Sequence, residues 1–303
     1  MRKGIDIIIV SFFSKNKLIQ LIKSINESIL DDFEIQVIIV NNSPQETLHD
    51  FTCKYEMIVI DNHENKGFGY GCNQALQYCK YAYQLLLNPD TVLFSETLSQ
   101  SFSFLESHPA TTVLGVKQLN EKNEVAFSCS RFPSLCSYFF DIIGLSKFFP
   151  KLFKPLYLMT DWNHLESRDV DQVMGSYLMI RNAFVKSYGL MDTRFFVFLE
   201  DADLCKRVWL NGGIVHYNSS ISIIHEGGSS TDGISDKKTC YLLEGKLKYA
   251  YKYFEFWKYL LLFMMVVFIE PFSRVIFYLF KNPASIKDSL RGYLLFLKRH
   301  QFK

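Results

Sequence analysis

No Cys-x-x-Cys pair occurs in this chain, and its seven cysteines are odd in number. That removes the usual zinc-site spacing and a fully paired disulfide framework. The remaining reading is reduced thiols in a cytosolic compartment, each packed as a small hydrophobe. An excess of one charge is also missing: 33 Lys and Arg stand against 31 Asp and Glu, a net of +2. A whole-protein footprint for nucleic acid is thereby excluded. Long apolar runs are scarce. The most apolar stretch, 253–280, holds one uninterrupted run, Tyr259–Ile269, of eleven residues, where a spanning helix needs about 20. The start, "MRKGIDIIIVSFF", lacks a small-residue cleavage site and reads as a first strand, not an export signal. Repeats and low-complexity tracts are absent as well.

What is present is a chain of 303 residues, long enough to bury a sizeable core in one large domain or two smaller ones. Short β-branched runs at 6–12, 35–42, 57–62 and 83–90 read as strands, and helical spacing fills 15–30, 70–81 and 95–107. Strands buried on both faces and separated by helices predict an α/β fold with a mostly parallel central sheet. Ligands of such sheets bind outside the carboxyl ends of the strands. Here those ends are polar: Ser11; Asn41 and Asn42; Asp61 and Asn62; Asn88 and Asp90.

Regular signals loosen over 132–169, which is aromatic and broken by Pro133, Pro150 and Pro155; it reads either as an acceptor-binding or membrane-touching flap or as a packed helical excursion. They resume at 172–181 and 212–230. The apolar stretch 253–280 carries Glu255, Lys258, Glu270, Pro271 and Arg274, so a broken in-plane or re-entrant segment is expected in preference to a full span, with a buried helical pair as the alternative. From Lys281 to Lys303 the net charge is +5, leaving about −3 on the rest. A basic tail beside an apolar stretch suits an anionic membrane surface.

Four stretches have the residues for chemistry. "NKGFGYGCNQAL" (65–76) has glycines at 67, 69 and 71, but it follows a third strand and a polar linker, which is the wrong context for a dinucleotide fingerprint. Backbone of this kind, flanked by Asn65, Lys66 and Asn73, still suits close approach to a phosphate or sugar. "LLLNPD" sets Asn88 and Asp90 at the end of a buried strand. Asp90 offers a hard oxygen of the kind Mg²⁺ or Mn²⁺ prefers, although N-P-D is also a good turn. His225, in "SIIHEGGSS", follows a β-rich run and, taken with Asp90 and the acidic stretch at 195–207, is a candidate third ligand for a divalent ion; His216 has no such context. "FFVFLEDADLCKR" (195–207) crowds Glu200, Asp201 and Asp203 against an apolar run, where each carboxylate must be hydrated, paired or protonated. The same pattern also describes any helix start with acidic residues first and basic ones later.

In order, "VSFF", "VNNS", "ENKGFGYGCNQAL", "LLLNPD", "MGSYLMIRNAFVKSYGLMDTRFFVFLEDADLCKR" and "HEGGSS" resemble the family 2 glycosyltransferases, the bacterial rhamnosyltransferase-like branch above all, over roughly 4–230. The resemblance implies a GT-A-like fold, in which a nucleotide-diphosphate sugar lies across the carboxyl ends of the strands and a divalent cation holds its pyrophosphate. It implies donor contacts from Ser11, Asn41, Asn65, Gly67, Asn73, Asn88 and Asp90, with Asp90 and His225 on the metal. Asp201 matches the catalytic base that deprotonates an acceptor hydroxyl, with inversion at the anomeric carbon. Glu200 and Asp203 are left to orient acceptor or loop, and Arg207 to pair with a carboxylate or the diphosphate.

Two departures stand out. Family members commonly carry Asp where Asn41 stands, there accepting N3–H of uracil or thymine; Asn can still accept through its oxygen. The usual two-acid metal motif is Asn88-Pro89-Asp90 here, leaving one carboxylate. The expected organisation is a catalytic domain over 1–235 and a helical, apolar then basic, membrane-associating region over 236–303. The expected activity is transfer of a sugar, dTDP-rhamnose being the first choice of donor, to a lipid-linked oligosaccharide at the cytoplasmic face of the membrane. A catalytically idle membrane scaffold and a nucleotide-sugar pyrophosphorylase are the rivals, although "VSFFSKNKL" lacks the glycine-rich loop of the latter.

Overall fold

A computed structural model describes residues 2–145, 149, 157–227, 235–282 and 285–299 of the chain. The "GSS" end of the glycine motif at 228–230, most of the proline-punctuated stretch at 146–156 and the last basic residue, Lys303, lie outside the described residues. The chain divides into two compact units. One comprises Met1–Ser130, Trp162–Thr193 and Asp201–Ser230; the other comprises Arg131–Asp161, Arg194–Glu200 and Thr231–Lys303.

The first unit is built on a sheet. Its strands are β1 (Arg2–Ser11), β2 (Glu34–Asn41), β3 (Glu56–Asp61), β4 (Tyr81–Leu87), β5 (Thr91–Leu93), β6 (Thr111–Leu119), β7 (Val125–Ala126), β8 (Cys129–Ser130), β9 (Arg168–Asp169), β10 (Gln172–Val173), β11 (Tyr177–Arg181) and β12 (Ile214–His225). The order is β3-β2-β1-β4-β11-β6-β12-β5, with β7 on β6 and β9 on β12; β8 and β10 form a separate pair. β1 pairs in parallel with β2 and β4, β2 with β3, and β6 with β12. β11 enters antiparallel between β4 and β6. The sheet is mostly parallel, as expected, and β1, β2 and β4 are buried on both faces: Ile5, Ile7, Ile9, Val37, Ile39, Leu85 and Leu87 pack on one with helix residues Leu18, Leu21 and Ile25, while Ile8, Val10, Ile38, Val40 and Leu86 lie on the other beside the hydrogen-bonded Asp6, Gln36 and Gln84. Helices α1 (Lys15–Asn26), α2 (Phe68–Ala75) and α3 (Thr97–Ser107) follow the 3.6-residue spacing of the sequence.

The second unit is helical. It contains Leu135–Ile142, Ser235–Tyr253, Phe256–Met264, Glu270–Lys281 and Ser285–Arg299, while Asn182–Tyr188 belongs to the first unit and Glu200–Leu210 begins at the boundary. In chain order these are α4 (Leu135–Ile142), α5 (Asn182–Tyr188), α6 (Glu200–Leu210), α7 (Ser235–Tyr253), α8 (Phe256–Met264), α9 (Glu270–Lys281) and α10 (Ser285–Arg299). A common core gathers Tyr138 and Ile142, Cys240, Leu243, Leu247 and Ala250, Leu262, Met265 and Val266, and Tyr293 and Phe296.

The stretch expected to break does not. α8, a π-helical turn (Met265–Ile269) and α9 run on as one helical course, and Phe256–Phe280 is long and apolar enough, by length and composition, to cross a bilayer. Pro271 falls in the first turn of α9, where a missing N–H is tolerated. Glu270 and Arg274 do not interrupt the helix because they pair inward, Arg274 Nη2 to Glu270 Oε1 at 2.8 Å, with Lys246 Nζ on the same oxygen at 3.1 Å.

Candidate active site

Polar side chains knit together the carboxyl ends of β1, β2 and β3. Ser11 Oγ lies 2.9 Å from Ser14 Oγ, and its carbonyl accepts the Asn42 N–H. Asn65 Oδ1 accepts the Gly67 N–H at 2.8 Å and the Asn42 amide at 3.3 Å. Gly67 has φ +101° where the chain turns into α2, a conformation that disfavours a side chain. Asn73 has a different occupation from the donor contact expected. Its amide donates to the Met191 carbonyl at 2.8 Å and its oxygen accepts the Met191 N–H at 3.0 Å, a two-point tie from α2 to the segment ahead of Asp201.

Asn41 is buried, and its oxygen already accepts the Ser43 N–H. Its amide donates to Asp61 Oδ1 at 2.8 Å; the two residues are register partners across β2 and β3. The open carboxylate at this strand end is therefore Asp61, whose side chain is 48% exposed and whose second oxygen lies 2.6 Å from His49 Nε2. The bonds from His49 and Asn41 lower the Asp61 pKa. Sequence reasoning marked Asp61 only as a polar strand end and passed over His49.

Asn88, Pro89 and Asp90 do form a turn: the Asn88 carbonyl accepts the Thr91 N–H at 3.3 Å and its hydroxyl at 2.7 Å. The turn leads into β5, which pairs antiparallel with β12 so that His225 faces Thr91. Asp90 and His225 are thus brought together, Nε2 to Oδ1 at 3.3 Å, both largely buried. His225 Nδ1 lies 3.0 Å from Gln118 Oε1, and the Gln118 amide donates to Ser176 Oγ at 2.6 Å. With its nitrogen on Ser176, Gln118 presents an acceptor, so His225 donates from Nδ1 and turns Nε2 toward Asp90. An imidazole beside a carboxylate, its far nitrogen held by a neighbour, is the arrangement metal-binding histidines use. Among the described residues no cluster of three or more His, Cys, Asp or Glu forms a metal cage. The pair fits a modestly held cation completed by other oxygens. Glu226, next to His225, pairs with Lys17 and donates its N–H to the Asp90 carbonyl. His216 stands apart, paired with Asp169 across β12 and β9 at 2.7 Å.

Asp201 opens α6 together with Glu200, where the helix dipole favours negative charge. Its carboxylate accepts the N–H of Gly175 at 3.3 Å and of Ala202 at 2.8 Å. Burial nevertheless raises its pKa, the backbone bonds opposing but not cancelling the effect. Gly175 and Ser176 join the two halves of the site: Gly175 holds Asp201, while Ser176 takes the Asn88 N–H on its carbonyl and Gln118 on its hydroxyl. The quoted "MGSY" motif contains both residues, but only the fold assigns them roles. Asp203 is fully buried and bonded to Arg207 Nε at 2.9 Å; Arg207 also donates to the carbonyls of Tyr188, Gly189 and Leu190. This pair ties α6 to the loop after α5. Glu200 is buried in the second unit.

The sequence of residues 6–171, more than half of the chain, matches the family model described as glycosyl transferase family 2. Rhamnosyltransferase WbbL of Escherichia coli (strain K12) is 28% identical over 230 residues, 72% of this chain and 82% of that protein. Among solved structures, the fold resembles mannosyltransferase PcManGT from Pyrobaculum calidifontis in complex with GDP-Man and Mn²⁺, with TM-score 0.56, 10% identity, and coverage of 99% of this chain and 88% of that one. It also resembles S. aureus TarS 1–349 in complex with UDP-GlcNAc, with TM-score 0.53, 14% identity, and coverage of 98% and 91%. A mostly parallel sheet with Asp90 and His225 at its strand ends and Asp201 tied to them through Gly175 and Ser176, with the matching family model, leaves one conclusion: the chain belongs to glycosyl transferase family 2 and is a glycosyltransferase.

Proposed function

We propose that the chain is an inverting glycosyltransferase that moves one sugar from a nucleoside-diphosphate donor, dTDP-rhamnose by first choice, to a lipid-linked oligosaccharide during synthesis of a surface polysaccharide such as O-antigen or capsule. The observation that carries this reading is the Asp90–His225 pair, oriented by Gln118 and joined through Gly175 and Ser176 to a half-buried Asp201. The 28%-identical rhamnosyltransferase supports the choice of sugar, and the Mn²⁺ in the mannosyltransferase structure supports a divalent cation, Mg²⁺ or Mn²⁺.

Asp90 Oδ1 and His225 Nε2 would hold that cation, whose chemistry when bound is to neutralise charge developing on the departing diphosphate. The strand ends at Ser11, Asn41 and Asp61 and the backbone at Gly67 would receive the nucleotide. Asp201 takes the proton from the acceptor hydroxyl as its oxygen bonds to the anomeric carbon; the bond from that carbon to the diphosphate oxygen breaks on the opposite face. Its raised pKa makes it a stronger base than an exposed carboxylate while leaving it ionised over the alkaline side of its titration.

The region 236–303 would hold the enzyme on the cytoplasmic face of the membrane as a peripheral protein. Phe256, Phe272 and Phe280 are 76%, 71% and 83% exposed on the course whose inner side carries Leu262, Val266 and Glu270, an apolar outer face with basic α10 in the same unit. A thermal-shift screen against dTDP-, UDP- and GDP-sugars, with and without Mn²⁺, tests the donor reading. A Mn²⁺-dependent rise with dTDP-rhamnose, lost in His225→Ala, is expected. A shift independent of metal, or the same shift in His225→Ala, removes the pair from the site.

A further inference from the structure

The segment ahead of Asp201 is held in an unusual backbone conformation. Phe198 and Leu199 have φ of +71° and +69°, consecutive left-handed residues without a glycine between them. L-residues adopt this region rarely, and a bulky pair persists in it only when its surroundings over-determine it. The pair turns the chain from the aromatic run into α6, so its geometry sets where that helix begins, and Asp201 is two residues past Leu199.

Within the second unit one turn of α7 grips this segment. Phe196 stacks on Tyr241 with centroids 4.4 Å apart and planes at 20°. Four residues on, and so on the same face of the helix, stands Gly245. A Cβ there would lie 3.0 Å from the Phe198 carbonyl oxygen and 3.5 Å from Leu199 Cδ1. The first of these neighbours is backbone, which cannot swing aside as a side chain can. Glycine inside a helix is unfavourable relative to alanine, and the packing gives its reason: the opposite face of α7, with Cys240, Leu243, Leu247 and Ala250, makes the unit's core, while Tyr241 and Gly245 face the left-handed pair.

We propose that Tyr241 and Gly245 are positioning residues for the catalytic base: by clamping Phe196 and Phe198 they hold the left-handed pair that aims α6, and with it the Asp201 carboxylate. The inference rests on the reading of Asp201 as the base. Within the first unit Met191 is pinned by Asn73.

The test uses the full chain, with nucleoside-diphosphate release from dTDP-rhamnose and Mn²⁺ as the activity readout and hydrogen exchange over 196–203 as the structural one. Gly245→Ala is expected to lower kcat by roughly 10- to 100-fold, as a displacement of about 1 Å does, with donor KM retained and exchange raised at 196–203 alone. Its melting temperature should stay at or near wild type, since alanine favours the helix. Tyr241→Phe, which keeps the stacked ring, should match wild type, and Tyr241→Leu should behave like Gly245→Ala. A merely structural glycine would show a fall in melting temperature and raised exchange throughout the second unit; that result overturns the proposal, as does unchanged exchange at 196–203. Asp201→Asn measured alongside separates the two readings. If it is inactive while Gly245→Ala turns over normally, the clamp fails. If it turns over normally, the base reading fails, and the clamp is then decided by exchange, which needs no donor.

Discussion

At the scale of single residues, Asp201 trades stability for reactivity. Burial raises its pKa above the unfolded value, so the folded chain binds that proton more tightly than the unfolded one. The resulting stability is fully present below the unfolded pKa, near 3.8, and is lost as pH rises through the folded pKa. Asparagine keeps the shape and an acceptor for the Gly175 N–H but never ionises. Asp201→Asn should therefore melt a few degrees above wild type at neutral pH, and the gap should close as pH approaches 3.8, measured by calorimetry across pH. The same substitution should bind donor normally and lower transfer by about 10²-fold or more, the usual contribution of a general base. A melting gap that persists at low pH would mean the effect does not come from the carboxylate's ionisation. Buried thiols show the same physics without function: burial pushes Cys129 up to about 12 and Cys240 up to about 11, which makes both inert at neutral pH.

At the scale of elements, the strands legible in the sequence are the ones apolar on both faces: β1, β2, β3 and β4 stand where their β-branched runs and polar ends predict them. β6 was not legible. Its "TTVLGVKQL" is broken by Gly115, Lys117 and Gln118, and only pairing with β11 and β12 makes it central to the sheet. Because β6 was not read, neither was Gln118, the residue that orients His225. Asp90, His225 and Asp201 were legible by type and order, but their joining through Gly175 and Ser176 depends on the antiparallel insertion of β11, a tertiary fact. The charges in 253–280 misled for another reason: they were counted as breaks in an apolar run, whereas Glu270, Arg274, Lys246 and Asp141 neutralise one another inside the second unit, Lys246 Nζ lying 2.9 Å from Asp141 Oδ2. Removing the central carboxylate leaves Lys246 with its Asp141 bond and takes the Glu270 ion pair from the buried Arg274. Glu270→Gln should destabilise the chain by about 3–5 kcal/mol, the cost of breaking a buried pair. Glu270→Leu with Lys246→Met, which withdraws one cation with the anion, should lose less than the sum of its single variants in denaturant unfolding. An additive double variant would show that the charges do not interact.

At the scale of the whole molecule, the chain's charge balance conceals two surfaces of different kinds. The net +2 averages a near-neutral body with a basic end, while α8 and α9 turn Phe256, Trp257, Phe272, Ile276 and Phe280 outward. Apolar side chains that reach the acyl boundary and cations that stay among the headgroups are the two components of binding in the plane of a bilayer. Each Lys or Arg near an anionic surface adds about 1 kcal/mol, screened by salt as the Debye length falls from about 10 Å at 0.1 M to about 3 Å at 1 M. The chain should therefore sediment with phosphatidylglycerol vesicles more than with phosphatidylcholine vesicles, and salt should weaken but not abolish the binding. Phe272→Glu with Phe280→Glu should abolish it on both, because the apolar contribution is independent of charge. In cells, alkaline carbonate should release the enzyme from membranes into solution if the helical course lies in the plane. Retention through carbonate, with release by detergent alone, would identify Phe256–Phe280 as a spanning helix and place the outward aromatic face in the hydrocarbon instead of at its edge.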